Sequence, residues 1–378
     1  MNPLTQLDAC GQSVWLDYLK RSLIESGELG RLIERDGLKG VTSNPAIFEK
    51  AIAESDEYVE ALHAFQAQGK HEVMATYEHL AIADIKAAAD VLRQVYDRTR
   101  GRDGYISLEC SPYLANDTEA TVAEAVRLWA AVDRPNLMVK VPGTQAGIPA
   151  IRRLIGRGLN INITLLFAVP VYEQVVEAYL AGLEEFKKSG GDVSKVGSVA
   201  SFFVSRIDTA IDKRLDNLGD KQIGDRVRGK IAIANAKLAY ARYKALFSGP
   251  RWQALASSGA QTQRLLWAST SSKNPAYKDT IYVEALVGQD TVDTIPPATM
   301  DAFRDHGEVV ADTIEKDLEG ARATLALLEE SGVSLKEIAE ALVADGVKQF
   351  SDAFDKLLAA VARESETAQK GKQARLKG

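Results

Sequence analysis

A lysine interrupts a run of residues otherwise suited to the inside of a sheet: Leu137-Met138-Val139-Lys140-Val141-Pro142. Burying an ammonium among such neighbours costs several kcal/mol unless the amine gives up its proton or a carboxylate answers it. Both outcomes suit a nucleophile. A lysine amine attacks a ketone to form an imine, and the imine then takes up the electron pair of a breaking carbon–carbon bond. The plain alternative for Lys140 is an edge strand from which its side chain reaches water.

Imine chemistry also needs an acid/base to carry protons while the carbinolamine forms and loses water, and a second base for the substrate hydroxyl. Glu109, acting through a water and the Thr164 hydroxyl, suits the first task, and Asp17 suits the second. Asn44 and Asn162 can hold sugar hydroxyls without titrating, and Arg206 with Lys273 and Ser269 can bind a terminal phosphate. Ser201 ends another strand-like run. Each has a structural alternative: Asp17 and Asn44 as turn or cap residues, Thr164 as a β-former, Ser201 as a small packing residue, Arg206 as a solvated helix charge. Taken together, a lysine, two carboxylates and two amides on one rim are hard to explain as packing, because each would need its own buried partner.

The order of elements is what brings them to one rim. Eight short β-type runs, at 14–18, 39–42, 105–110, 137–141, 160–165, 196–201, 264–269 and 281–287, are separated by longer helical stretches. Eight is the number that closes a parallel α/β barrel, and barrel enzymes do their chemistry at the carboxyl ends of the strands, where these polar residues fall. Several runs are almost continuously apolar, as in strands covered on both faces. Between runs the hydrophobic period lengthens toward 3.6 residues. The clearest case is 121–132, where Val122, Ala125, Val126 and Trp129 share a face and Thr121 with Glu124 offers a capping box. Further helices are expected over 57–68, 71–96, 169–188, 205–215, 231–245, 299–330 and 335–362. The expected fold is α/β, a (β/α)8 TIM barrel with additional helices mainly at the C-terminus. It forms one domain over 1–365, followed by a polar tail over 366–378 that buries little and is expected to fray.

With 46% hydrophobic and 26% charged residues in 378, the chain is globular material with a sizeable core. A net charge of -6 argues against general binding to nucleic acid or an anionic membrane, so an anionic substrate must be met by a local pocket. Two cysteines, Cys10 and Cys110, form neither a zinc pattern nor a disulfide framework, and a reducing cytoplasm is expected. Neither a leader-like start nor a run long enough to span a bilayer is evident, so a cytoplasmic protein is expected. His63, His71, His79 and His306 fall in helix-like polar surroundings, giving little support to a metal site or a triad.

Five segments resemble the transaldolases, Schiff-base transferases of the pentose phosphate pathway. They are Gly40-Val41-Thr42-Ser43-Asn44-Pro45, Leu108-Glu109, Val139-Lys140-Val141-Pro142, Asn160-Ile161-Asn162-Ile163-Thr164-Leu165-Leu166-Phe167, and Ser201-Phe202-Phe203-Val204-Ser205-Arg206-Ile207-Asp208. The resemblance implies that Lys140 binds the ketone of fructose 6-phosphate or sedoheptulose 7-phosphate and passes a dihydroxyacetone unit to erythrose 4-phosphate or glyceraldehyde 3-phosphate. It implies Asp17 as the cleavage base, Glu109 and Thr164 in a water relay, and Asn44, Asn162 and Ser201 as substrate ligands, with Phe203 shaping the site. No metal or organic cofactor is implied, and the choice between monomer and homodimer stays open.

One departure concerns the phosphate site. The better-known subgroup carries a second arginine after the seventh strand, where this chain reads Ser269-Thr270-Ser271-Ser272-Lys273. Lysine supplies charge without the two-pronged contact of a guanidinium. Three rivals remain on sequence grounds: an aldolase that releases or takes up free dihydroxyacetone, a barrel that only binds sugar phosphate, and a lysine that carries pyridoxal. The last lacks a glycine-rich phosphate cradle.

Overall fold

The computed structural model describes residues 2–376 apart from 54, 70, 219–223 and 225, with side chains described through Thr367 except at 217 and 218. Eight strands close into a barrel in chain order. They are β1 (Gln12–Asp17), β2 (Gly40–Thr42), β3 (Tyr105–Glu109), β4 (Leu137–Pro142), β5 (Ile161–Leu166), β6 (Ser198–Phe203), β7 (Arg264–Ala268) and β8 (Thr291–Ile295). Every neighbouring pair is parallel, β8 returning to β1. Closure leaves Lys140 no sheet edge from which to reach water.

The last strand is not where the hydrophobic pattern puts it. Residues 281–287 contain the short helix Ile281–Ala285, in which Tyr282 and Val283 are buried, and β8 follows it. Thr291-Val292-Asp293-Thr294-Ile295 is polar at three of its five positions yet buried throughout. Its polar groups are used within the barrel wall: Gln12 Nε2 donates to Thr291 Oγ1 at 2.9 Å, Thr270 Oγ1 to Asp293 Oδ1 at 3.0 Å, and the Thr42 and Thr294 hydroxyls lie 2.7 Å apart. A buried strand whose polar groups find partners outside it shows no hydrophobic period to read.

Two helix expectations also change. The helix expected at 121 begins three residues earlier, at Thr118, because Asp117 is its N-cap and accepts from the Ala120 N–H at 3.0 Å. Thr121 and Glu124 form no capping box. Thr121 Oγ1 donates to the Leu114 carbonyl, and Glu124 Oε1 accepts from the Ser111 N–H. The stretch 299–330 is divided into Pro297–His306, a 3-10 turn Thr313–Glu315, and Leu318–Glu330. The second of these two helices has its own start, the Asp317 carboxylate accepting from the Gly320 N–H.

At the amino end the barrel interior is plugged by a buried ion pair, Arg264 Nη2 to Asp103 Oδ1 at 2.8 Å, with Ser13 and the Trp15 indole bonded to the same aspartate. Gly40 makes room for that indole, since a Cβ there would lie 2.5 Å from the ring. At the carboxyl end the final helix, Leu335–Leu376, crosses the barrel and buries Phe350, Phe354, Leu357 and Val361. It approaches β5 at Gly346, where a Cβ would meet Leu165 Cδ2 at 2.7 Å. The expected tail at 366–378 falls on the end of this helix and lies mostly outside the described side chains.

His63, His79 and His306 are exposed, and half-buried His71 stacks on Phe65. Both cysteines are free, Cys110 being buried as a core residue. No helix is long and apolar enough to cross a membrane among the described residues.

Candidate active site

Strand register aligns the reactive side chains. Glu109 on β3 pairs with Lys140 on β4, which pairs with Asn162 on β5. Residues in register on parallel strands face the same way. Lys140 is 5% exposed. Its Nζ lies 3.3 Å from Glu109 Oε2 and donates to the Ser43 carbonyl at 3.1 Å. A carboxyl group therefore stands within reach of the buried amine.

Both neighbouring acids are pushed toward the protonated form. For Glu109 the main cause is burial, added to by the Asp17 charge and opposed by Lys140 and Arg206. For Asp17, burial again raises the pKa, against the Thr42 hydrogen bond and the charges of Lys140, Arg206 and Lys273. Thr42 Oγ1 donates to Asp17 Oδ1 at 2.7 Å, which fixes the carboxyl at the end of β1. Two acids displaced toward neutrality beside one amine can both give and take protons.

Asp17, Asn44, Lys140, Thr164, Ser201, Phe203, Arg206 and Ser269 line one cavity of about 420 Å³. Asn44 also caps the helix Pro45–Ala53 through the Ile47 N–H, so its cap role and its place in the wall coexist. Thr164 Oγ1 is buried and has no hydrogen-bond partner among the described residues. Arg206 Nη1 is likewise unpartnered, while the guanidinium sits over the Phe203 ring at 5.1 Å. Burial lowers the Arg206 pKa against the pull of Asp345, Asp17 and Glu109. A desolvated guanidinium with a free N–H is suited to an anion.

Ser269 in the cavity wall, at φ 56°, and Leu165 next to Thr164, at φ 61°, carry left-handed backbone. Such conformations cost a non-glycine residue roughly 1–2 kcal/mol and gather at functional sites. At Leu165 the strain accompanies a register shift between β5 and β6, directly after Thr164.

The remaining sequence candidates lie around the cavity rather than in its wall. Glu109 stands beside Lys140. Asn162 is fully buried, donating to Ser107 Oγ at 3.0 Å and accepting from Ser201 Oγ at 2.7 Å, and so it holds Ser201 in place. Lys273 is exposed, its Nζ donating to Ser271 Oγ at 2.7 Å. Sequence reading missed Thr42, Thr294 and Phe350, which also line the cavity. Thr42 stood inside the quoted Thr-Ser-Asn-Pro segment. Thr294 was hidden by the misplaced eighth strand, and Phe350 comes from a helix whose position no local pattern reveals.

Fold and site together define a (β/α)8-barrel enzyme with a lysine-centred pocket at the carboxyl ends of its strands. The chain belongs to the transaldolase family: the sequence profile described as Transaldolase/Fructose-6-phosphate aldolase matches residues 14–361. It is 50% identical over 361 residues to "Transaldolase 1" of Streptomyces coelicolor, covering 95% of this chain and 94% of that protein. It is 46% identical to a "Transaldolase" of Frankia alni (96% and 97% covered) and 48% identical to one of Thermobifida fusca (96% and 98% covered).

Proposed function

We propose that this protein transfers a dihydroxyacetone unit from fructose 6-phosphate or sedoheptulose 7-phosphate to glyceraldehyde 3-phosphate or erythrose 4-phosphate through an imine on Lys140. This places it in cytoplasmic sugar-phosphate metabolism, as one domain over 1–365. The observation carrying the reading is the buried Lys140 amine, 3.3 Å from the Glu109 carboxyl, opening on a cavity that also holds Asp17 and Arg206.

The positions support the following steps. Glu109 takes up the Lys140 proton, and the neutral Nζ adds to the ketone carbon to give a carbinolamine. Glu109, through a water and Thr164 Oγ1, protonates the departing hydroxyl. Asp17 takes the proton from the hydroxyl β to the iminium carbon. The adjacent carbon–carbon bond then breaks, and its electron pair moves into the iminium to give an enamine while the aldehyde leaves. An acceptor aldehyde reverses these steps, and hydrolysis frees Lys140. Arg206 and Ser269 bind the phosphate, with Lys273 adding charge at the rim, while Asn44 and Ser201, steadied by Asn162, orient hydroxyls.

The family also contains fructose-6-phosphate aldolases, which gives a second reading with the same amine. The deciding experiment incubates the protein with fructose 6-phosphate, with and without erythrose 4-phosphate. Transfer requires that sedoheptulose 7-phosphate form in the presence of the acceptor. Steady release of free dihydroxyacetone without one favours the aldolase, and neither product leaves only sugar-phosphate binding.

A further inference from the structure

Forming the imine releases a water, and breaking it consumes one. On the reading above, a carbinolamine and the Glu109 carboxyl become an iminium, a water and the Glu109 carboxylate, and hydrolysis reverses each change. Both events occur with a sugar phosphate in the front cavity, whose wall includes Phe350 of the final helix but not Glu109. Water therefore needs access to the Lys140–Glu109 pair that the substrate does not block.

Glu109 instead lines a second cavity, beside β3 and among the helices Val73–Arg98 and Thr118–Val132, with Phe354 of the final helix in its wall. We infer that this second cavity is a water and proton passage to Glu109, with Tyr77 and Glu124 as its relay residues.

The cavity has room for an ordered water. Its carboxylates form a gradient: side-chain exposure is 6% at Glu109, 16% at Glu124 and 19% at Glu78. At the outer end Arg127, half exposed, reaches both Glu78 and Glu124. Glu124 holds the Ser111 N–H with Oε1 at 3.0 Å, while its other oxygen bonds no described residue. The Tyr77 hydroxyl has no hydrogen-bond partner among the described residues, and its ring is held edge-on between Phe48 and Phe354. Burial raises the Glu124 pKa, against the Ser111 N–H and the Arg127 charge. Neither Tyr77 nor Glu124 touches the substrate cavity, so both act through Glu109 as positioning residues.

The test is oxygen exchange. Imine formation and hydrolysis in H2(18)O replace the ketose carbonyl oxygen with the heavy isotope, and borohydride trapping on the same samples reports the adduct. Tyr77→Phe keeps the ring packing, and Glu124→Gln keeps the acceptor for Ser111. Each should slow exchange by about tenfold, less than the roughly 10²–10⁴ of direct proton transfer, with KM and the saturating adduct level as in wild type. Wild-type exchange rates in both variants overturn the passage, as does a rise in KM without slower exchange. Should either variant fail to fold, Met74→Trp at the half-buried outer wall decides, with slowed exchange and normal KM expected. A wild-type protein that forms no adduct at Lys140 overturns the imine reading itself, a separate result.

Discussion

Glu109 Oε2 and Lys140 Nζ lie 3.3 Å apart on strands where the two residues are register partners. The pair is almost wholly buried, and removing one member of such a pair costs about 3–5 kcal/mol because the other is left uncompensated. Glu109→Gln preserves shape and a hydrogen-bonding carbonyl but not the exchangeable proton. Its imine formation should slow by roughly 10²–10⁴, read from the time course of borohydride trapping. Adduct forming at the wild-type rate would remove Glu109 as the acid/base.

On the proposed mechanism Asp17 serves the later step. Asp17→Asn keeps an oxygen for the Thr42 hydroxyl and should still form the adduct while aldehyde release from fructose 6-phosphate slows by a similar roughly 10²–10⁴. Quenched-flow measurement separates the two. Unchanged aldehyde release would mean another group takes the hydroxyl proton.

Arg206 and Lys273 should differ sharply. A charge-assisted hydrogen bond contributes about 1.5–3 kcal/mol, so Arg206→Ala should raise KM for phosphorylated sugars roughly 10–100-fold and leave free dihydroxyacetone little affected. Lys273 is exposed and already bonded to Ser271, and exposed charges contribute about 0–1 kcal/mol. Lys273→Ala should therefore shift KM by less than about fivefold. Equal effects of Arg206→Ala on both substrate types would take it out of the phosphate site.

Much of this arrangement can be read in the chain, and the exceptions share a cause. Lys140, Glu109 and Asp17 are legible because each is an ionisable group at the end of a run otherwise fit for burial. β8 is not, because its Thr291, Asp293 and Thr294 are buried against Gln12, Thr270 and Thr42 elsewhere in the barrel wall and interrupt the hydrophobic pattern. Phe350 reaches the cavity only through packing of the final helix across the barrel mouth, a long-range contact with no local signature. Lys273 reads as a phosphate ligand from its position after β7, but its side chain turns to Ser271.

Asp293, in that illegible strand, gives a stability test. Burial pushes its pKa from 3.8 up to about 8, with only the Thr270 hydroxyl opposing. Between those values the folded protein keeps a proton that the unfolded chain has released, so stability falls as pH rises across the window, by at most about 1.4 kcal/mol per unit. Asp293→Asn removes that dependence. Denaturant titrations should find the variant close to wild type near pH 4 and more stable by a few kcal/mol near pH 8. A constant difference between the two pH values would show that Asp293 does not carry the predicted proton.

The most direct test of the central claim is peptide mass spectrometry after borohydride reduction in the presence of fructose 6-phosphate. The expected result is a reduced three-carbon or whole-sugar adduct on the peptide containing Lys140 and on no other lysine, lost in Lys140→Ala together with turnover. An adduct on a different lysine, or full turnover with Lys140 unmodified and replaceable, would contradict it.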